Sequence, residues 1–158
     1  MPERAIVAKR VLIAVNLEAP ASWAVDYAIR LAGRLGASLT LMAVDQGAPR
    51  GHRTGRRRPE GLDDSQRAWL DRVVSQCPRE GVSLEIFFSS GQFFEEIMRF
   101  VRSQPGIQFI VLGLPREGPG PAHRAFFTGL KPLNRVFTGE ILLVREQGKV
   151  TSMSEINA

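Results

Sequence analysis

Short apolar runs that alternate with stretches of helical periodicity constrain this chain more than any other feature. Val11-Leu12-Ile13-Ala14-Val15, Phe109-Ile110-Val111-Leu112 and Ile141-Leu142-Leu143-Val144 are continuous apolar segments of four or five residues, and Leu39-Thr40-Leu41-Met42-Ala43-Val44 is apolar except at Thr40. Such runs suit strands covered on both faces, as in a parallel sheet. Between Val15 and Leu39, Ala24, Ala28, Leu31, Ala32 and Leu35 recur at three- and four-residue spacing. Pro20 precedes that segment and Gly36 stops it, so it reads as an amphipathic helix. Strand, helix, strand in this order calls for right-handed parallel crossovers and hence an α/β fold.

The same reading extends along the chain. Leu62, Trp69, Leu70, Val73, Val74 and Cys77 predict a second helix, capped by Asp63, Asp64 or Ser65 and ended by Gly81. Val82 to Phe88 alternates apolar and polar residues, the pattern of a strand at a sheet edge. Phe94, Ile97, Met98 and Val101 predict a third helix, begun near Ser89-Ser90-Gly91 and stopped at Pro105-Gly106. From Gly113 to Gly129 the sequence is loop-like, and Pro132 is expected to open a short helix through Phe137. Residues 146–158 hold few apolar groups and are expected to be a flexible tail.

With 158 residues, 44% hydrophobic and 23% charged, one domain spanning 1–158 with its core at about 10–145 is expected. The net charge of +5 is local, because Arg50, Arg53, Arg56, Arg57 and Arg58 fall in a segment, Gly47 to Pro59, that has no Asp or Glu. Residues 45–61 therefore read as a mobile Arg-rich loop, and the rest of the body is near neutral. The loop lacks interleaved aromatics, so nucleic acid is not the expected partner. The absence of a leader-like apolar stretch and the lone Cys77 point to the cytoplasm, and no run is long enough to span a membrane. Cys77, Trp23, Trp69 and Phe87, Phe88, Phe93 and Phe94 are read as core. His123 and His52 have no companions at metal-ligand spacing. Neither a Walker loop nor a nucleophile elbow is present, which argues against an enzyme.

Val15-Asn16 at the end of the first strand, the long loop after the second, Phe109 to Gly113 before a glycine loop, and the closing Ile141 to Arg145 together resemble the universal stress protein family. The resemblance covers about Arg10 to Arg145. It implies a three-layer sandwich, with a five-stranded parallel sheet in the order 3-2-1-4-5 and helices on both faces. It also implies a homodimer paired along Ile141, Leu142, Leu143 and Val144, with a protein partner as a further expectation.

Many members of that family bind ATP through Gly-x-x-Gly, nine residues, then Gly-Ser/Thr, whose backbone N–H groups cradle phosphate. Here Gly113 matches the first glycine and Arg116 replaces the second. Twelve residues separate Arg116 from Gly129, Leu130 replaces the hydroxyl residue, and Asn16 stands where the family has Asp. Gly118, Gly120 and Thr128 could rebuild a cradle in another geometry, Arg116 could meet a phosphate, and Val44 completes the candidate set. The expected function is a non-enzymatic regulatory or interaction module that requires no cofactor and carries a degenerate nucleotide site. The alternative is a sensor that binds ATP or another adenine nucleotide through the remodelled loop.

Overall fold

The computed structural model describes residues 9–46, 55–116 and 120–156. The elements in chain order are β1 (Arg10–Asn16), α1 (Ser22–Leu35), β2 (Ser38–Asp45), α2 (Asp64–Arg79), β3 (Leu84–Ser90), α3 (Phe93–Ser103), β4 (Ile107–Gly113), α4 (Pro121–Val136), β5 (Glu140–Val144), β6 (Val150–Ser152) and α5 (Met153–Ile156). They build one six-stranded sheet in the order β3-β2-β1-β4-β5-β6. The first five strands are mutually parallel and β6 runs antiparallel to β5. Strand alternation explains the layers. Val11, Ile13 and Val15 of β1 join a core with α1 and α2, whereas Leu12 and Ala14 join a second core with α3 and α4. This three-layer α/β arrangement, with β3 at an edge, is the one expected from the sequence.

Local chemistry sets the helix ends. Gly36 closes α1 at φ 63°, a left-handed conformation that side chains resist. At the start of α2, the Asp63 carboxylate accepts from Gln66 N at 2.8 Å, and Asp63 N donates to Gln66 Oε1 at 3.0 Å. This reciprocal pair satisfies two otherwise unpaired donors. Asp63→Ala is expected to cost about 1 kcal/mol of stability. Urea unfolding checks it, and an unchanged midpoint would show the cap to be idle.

Several expectations need correction. The sheet has six strands rather than five, because residues expected to form a tail supply β6 and α5. Gly148, at φ 94°, turns the chain, with Gly148 N bonded to Arg145 O and Arg145 N to Lys149 O, both at 2.8 Å. Leu142 then pairs with Ser152 and Val144 with Val150, Ser152 Oγ donates to the Glu140 carboxylate, and Met153 is buried in the second core. Three strand residues and one methionine are too little apolar signal to be seen as periodicity. It follows that Ile141 to Val144 is not an edge. Its outer side is already paired, so a homodimer along β5 would first have to strip β6 away.

The last helix begins at Pro121 rather than Pro132. Pro121 sits in the first turn, where its missing N–H costs nothing. Pro132 lies inside the helix and removes one N–H partner from the preceding turn. Helix α3 is capped by Gln92, whose side chain accepts from Glu95 N, while Ser89 and Ser90 close β3.

Part of the Arg-rich loop is docked. Gly55 makes an antiparallel bridge to Phe88, with N···O distances of 3.0 and 2.7 Å. Arg56 pairs with Glu85 at 2.6 Å and lies 5.3 Å from the Phe87 ring centre, and Arg58 pairs with Asp71 at 3.3 Å. Arg50, His52 and Arg53 lie outside the described residues.

Candidate functional site

In this strand order β1 and β4 are neighbours whose following helices depart to opposite faces of the sheet. That reversal opens a crevice beyond the carboxyl ends of the two strands, where open α/β sheets place ligands. A cavity of about 800 Å³ lies there. Asn16 at the end of β1, and Gly113 and Arg116 at and after the end of β4, contribute to its wall. The loop into α1 adds Pro20 and Ala21, and the first turn of α1 adds Trp23. Gln46 follows β2, Gln92 precedes α3, and Phe93, Phe94 and Phe126 supply aromatic surface.

Gly113 is required by sterics. A Cβ there would stand 2.3 Å from Ala21 Cβ, so only glycine lets the loop before α1 cross so close to β4. Three carboxamides line the cavity, each with its oxygen held by a backbone N–H. Asn16 Oδ1 accepts from Glu18 N at 3.0 Å, Gln46 Oε1 from Phe93 N at 3.3 Å, and Gln92 Oε1 from Glu95 N at 2.9 Å. Trp23 Nε1 donates to Val144 O at 3.0 Å. The Arg116 guanidinium lies 5.1 Å from the centre of a Trp23 ring, and its Nε is 3.3 Å from Glu146 Oε2. Arg116 is the only charged side chain among the described residues of the wall.

The candidate residues divide. Asn16, Gly113 and Arg116 share the cavity, and Gly120 caps α4 beside it with extended backbone. Val44 is fully buried in the second core, and only its carbonyl is used locally, accepting from Leu17 N at 2.9 Å. Thr128 is exposed on α4, away from the wall residues. Gly129 is a packing residue. A Cβ there would come within 2.4 Å of the Phe94 ring, so its role is to let α4 approach α3. Gly118 lies outside the described residues.

Trp23, Phe93 and Phe94, read as core, also contribute to the wall: Trp23 packs against the first core, Phe93 against the second, and Phe94 lies within the second. Trp23 stands in the first turn of α1, and Gln46 and Gln92 stand one and two residues beyond strand ends. That position was the available signal, because strand-to-helix junctions face the crevice. Cys77 is buried, and burial, then the nearby Glu80 carboxylate, push its thiol pKa up, which makes it inert. Among the described residues no group of three or more His, Cys, Asp or Glu could hold a metal ion.

No protein-family model and no curated protein matches the chain. Solved structures do. A universal stress protein family member from Burkholderia pseudomallei superposes with a TM-score of 0.56 at 20% identity, over 89% of this chain and 98% of that one. The chain has the universal stress protein fold. A universal stress protein solved in complex with cAMP superposes with a TM-score of 0.62 at 15% identity, over 88% and 98% of the two chains. The Archaeoglobus fulgidus universal stress protein in complex with dAMP gives 0.54 at 14%, over 87% and 98%.

Proposed function

We propose that this chain is a non-enzymatic regulatory or interaction module of the universal stress protein kind, whose nucleotide site has lost its hold on a triphosphate. The observation that carries this reading is Gly129 pressed against Phe94. A glycine engaged between two helices is not free to bring its backbone to a phosphate. Arg116 argues the same way, because it is stacked on Trp23 and matched by Glu146. Each lost contact is worth about 0.5–1.5 kcal/mol, so three together weaken affinity about a hundredfold. The wall carries no Asp, Glu, His, Ser or Cys among its described residues, which favours binding over catalysis. Self-pairing along Ile141 to Val144 does not enter this reading, since β6 occupies that edge. No described helix is long and apolar enough to cross a membrane, and the compartment that fits a module of this kind is the cytoplasm.

Calorimetric titration with Mg-ATP tests the proposal, and no heat at millimolar nucleotide is the expected result. The second reading, an adenine-nucleotide sensor, is favoured by the neighbours solved with cAMP and dAMP. Low-micromolar ATP binding abolished by Arg116→Ala would establish it in place of the first.

A further inference from the structure

We propose that the cavity takes an uncharged, flat heterocycle rich in hydrogen-bond acceptors, and that Glu146 turns phosphorylated ligands away by holding Arg116. This rests on the reading above, that the site no longer grips a triphosphate, and names what it binds instead.

The donors make the first part of the case. The backbone N–H groups that anchor Asn16, Gln46 and Gln92 fix each side-chain oxygen, and thereby settle which end of each amide is the nitrogen. No described residue accepts from those nitrogens. Three neutral NH₂ groups without a described acceptor therefore belong to residues of the wall, and a ligand that uses them must bring the acceptors: ring nitrogens or carbonyl oxygens. Aromatic surface from Trp23, Phe93 and Phe126 suits a planar ring. The size of the cavity, about 800 Å³, is that of a site for a small organic molecule.

Charge makes the second part. An anion would also welcome NH₂ donors, so the balance of full charges decides. Among the described residues of the wall Arg116 is the one cation, and Glu146 stands 3.3 Å from its Nε. A phosphate drawn to Arg116 must approach that carboxylate too, so attraction is largely offset by repulsion. An uncharged ring meets no such opposition and can reach the amides without breaking the pair.

The test is calorimetric titration of the full chain with adenosine, guanosine, cytidine and uridine, and with each 5′-monophosphate, repeated on Glu146→Gln. Glu146 is half-exposed and the substitution keeps its shape, so an unchanged melting temperature is expected to accompany the binding data. At least one nucleoside should bind, and more tightly than its monophosphate. Glu146→Gln should strengthen the monophosphate up to about fivefold and leave the nucleoside unchanged. The inference is overturned if a monophosphate binds the unmodified chain as tightly as its nucleoside, if Glu146→Gln leaves the monophosphate unchanged, or if no nucleoside binds. Any of these with Mg-ATP still silent leaves the non-enzymatic module standing. Tight Mg-ATP binding removes that broader reading as well.

Discussion

A chain ended at Glu146 is expected to melt about 10 °C lower than the full chain and to self-associate at tens of micromolar. The truncation removes Met153, 6% exposed in the second core, together with the β6 ladder to Leu142, Leu143 and Val144. Emptying one such apolar site costs about 2–5 kcal/mol, and each kcal/mol is worth about 2–4 °C in a domain of this size. The bared side of β5 would then present unpaired N–H and C=O groups between buried apolar residues, which recruits a second copy. Met153→Ala separates the two effects, since it should lose stability while β6 still covers the edge. Calorimetry and sedimentation velocity read both outcomes. A truncated chain that stays monomeric with an unchanged melting temperature would mean that β6 and α5 only decorate the sheet.

Gly129→Leu is expected to destabilise the fold by up to about 2 kcal/mol while leaving nucleotide affinity as it was. Leaving glycine inside a helix should by itself gain about 1 kcal/mol. The side chain has nowhere to go, however, because even a Cβ meets the Phe94 ring at 2.4 Å, and Phe94 is locked edge-to-face against Phe93 and Phe126. Overpacking of this kind costs about 1–3 kcal/mol or more. Phe94→Ala should partly rescue Gly129→Leu, since the two residues compete for one volume and their effects are not additive. If the substitution instead left the melting temperature intact and altered nucleotide binding, Gly129 would face a ligand after all, and the packing account would fail.

What the sequence disclosed followed the strength of its periodic signals. Val11 to Val15 is apolar at every position, and Leu39 to Val44 at every position but Thr40, because they lie in the middle of the sheet, so their strands were legible, as was the edge character of β3 from its alternation. Helix α4 was misread at its start because Pro132 and Gly129 look like interruptions when seen alone. In three dimensions each is tolerated by a neighbour: the proline by a helix already begun at Pro121, the glycine by the ring that fills its space. β6 was invisible because pairing to β5, rather than its own composition, makes it a strand. Within the site, the motif pointed to Asn16, Gly113 and Arg116, which do converge. Gln46 and Gln92 escaped notice, and Trp23 was read only as core, because a pocket wall built from several junctions has no spacing along the chain. Thr128 and Gly129 were drawn in by the motif's length and lie where the helix carries them, outside the crevice.

The contact between Trp23 and Arg116 also makes the protein its own optical probe. The chain has two tryptophans, and the other, Trp69, is 8% exposed within the core beneath α1 and α2, shielded from anything that enters the crevice. Emission from Trp69 therefore serves as an internal reference, while the Trp23 indole, anchored through Nε1 to Val144 and covered by a guanidinium, responds to whatever displaces that cover. Fluorescence at equilibrium can thus report occupancy without a label, and Trp69→Phe isolates the reporting ring.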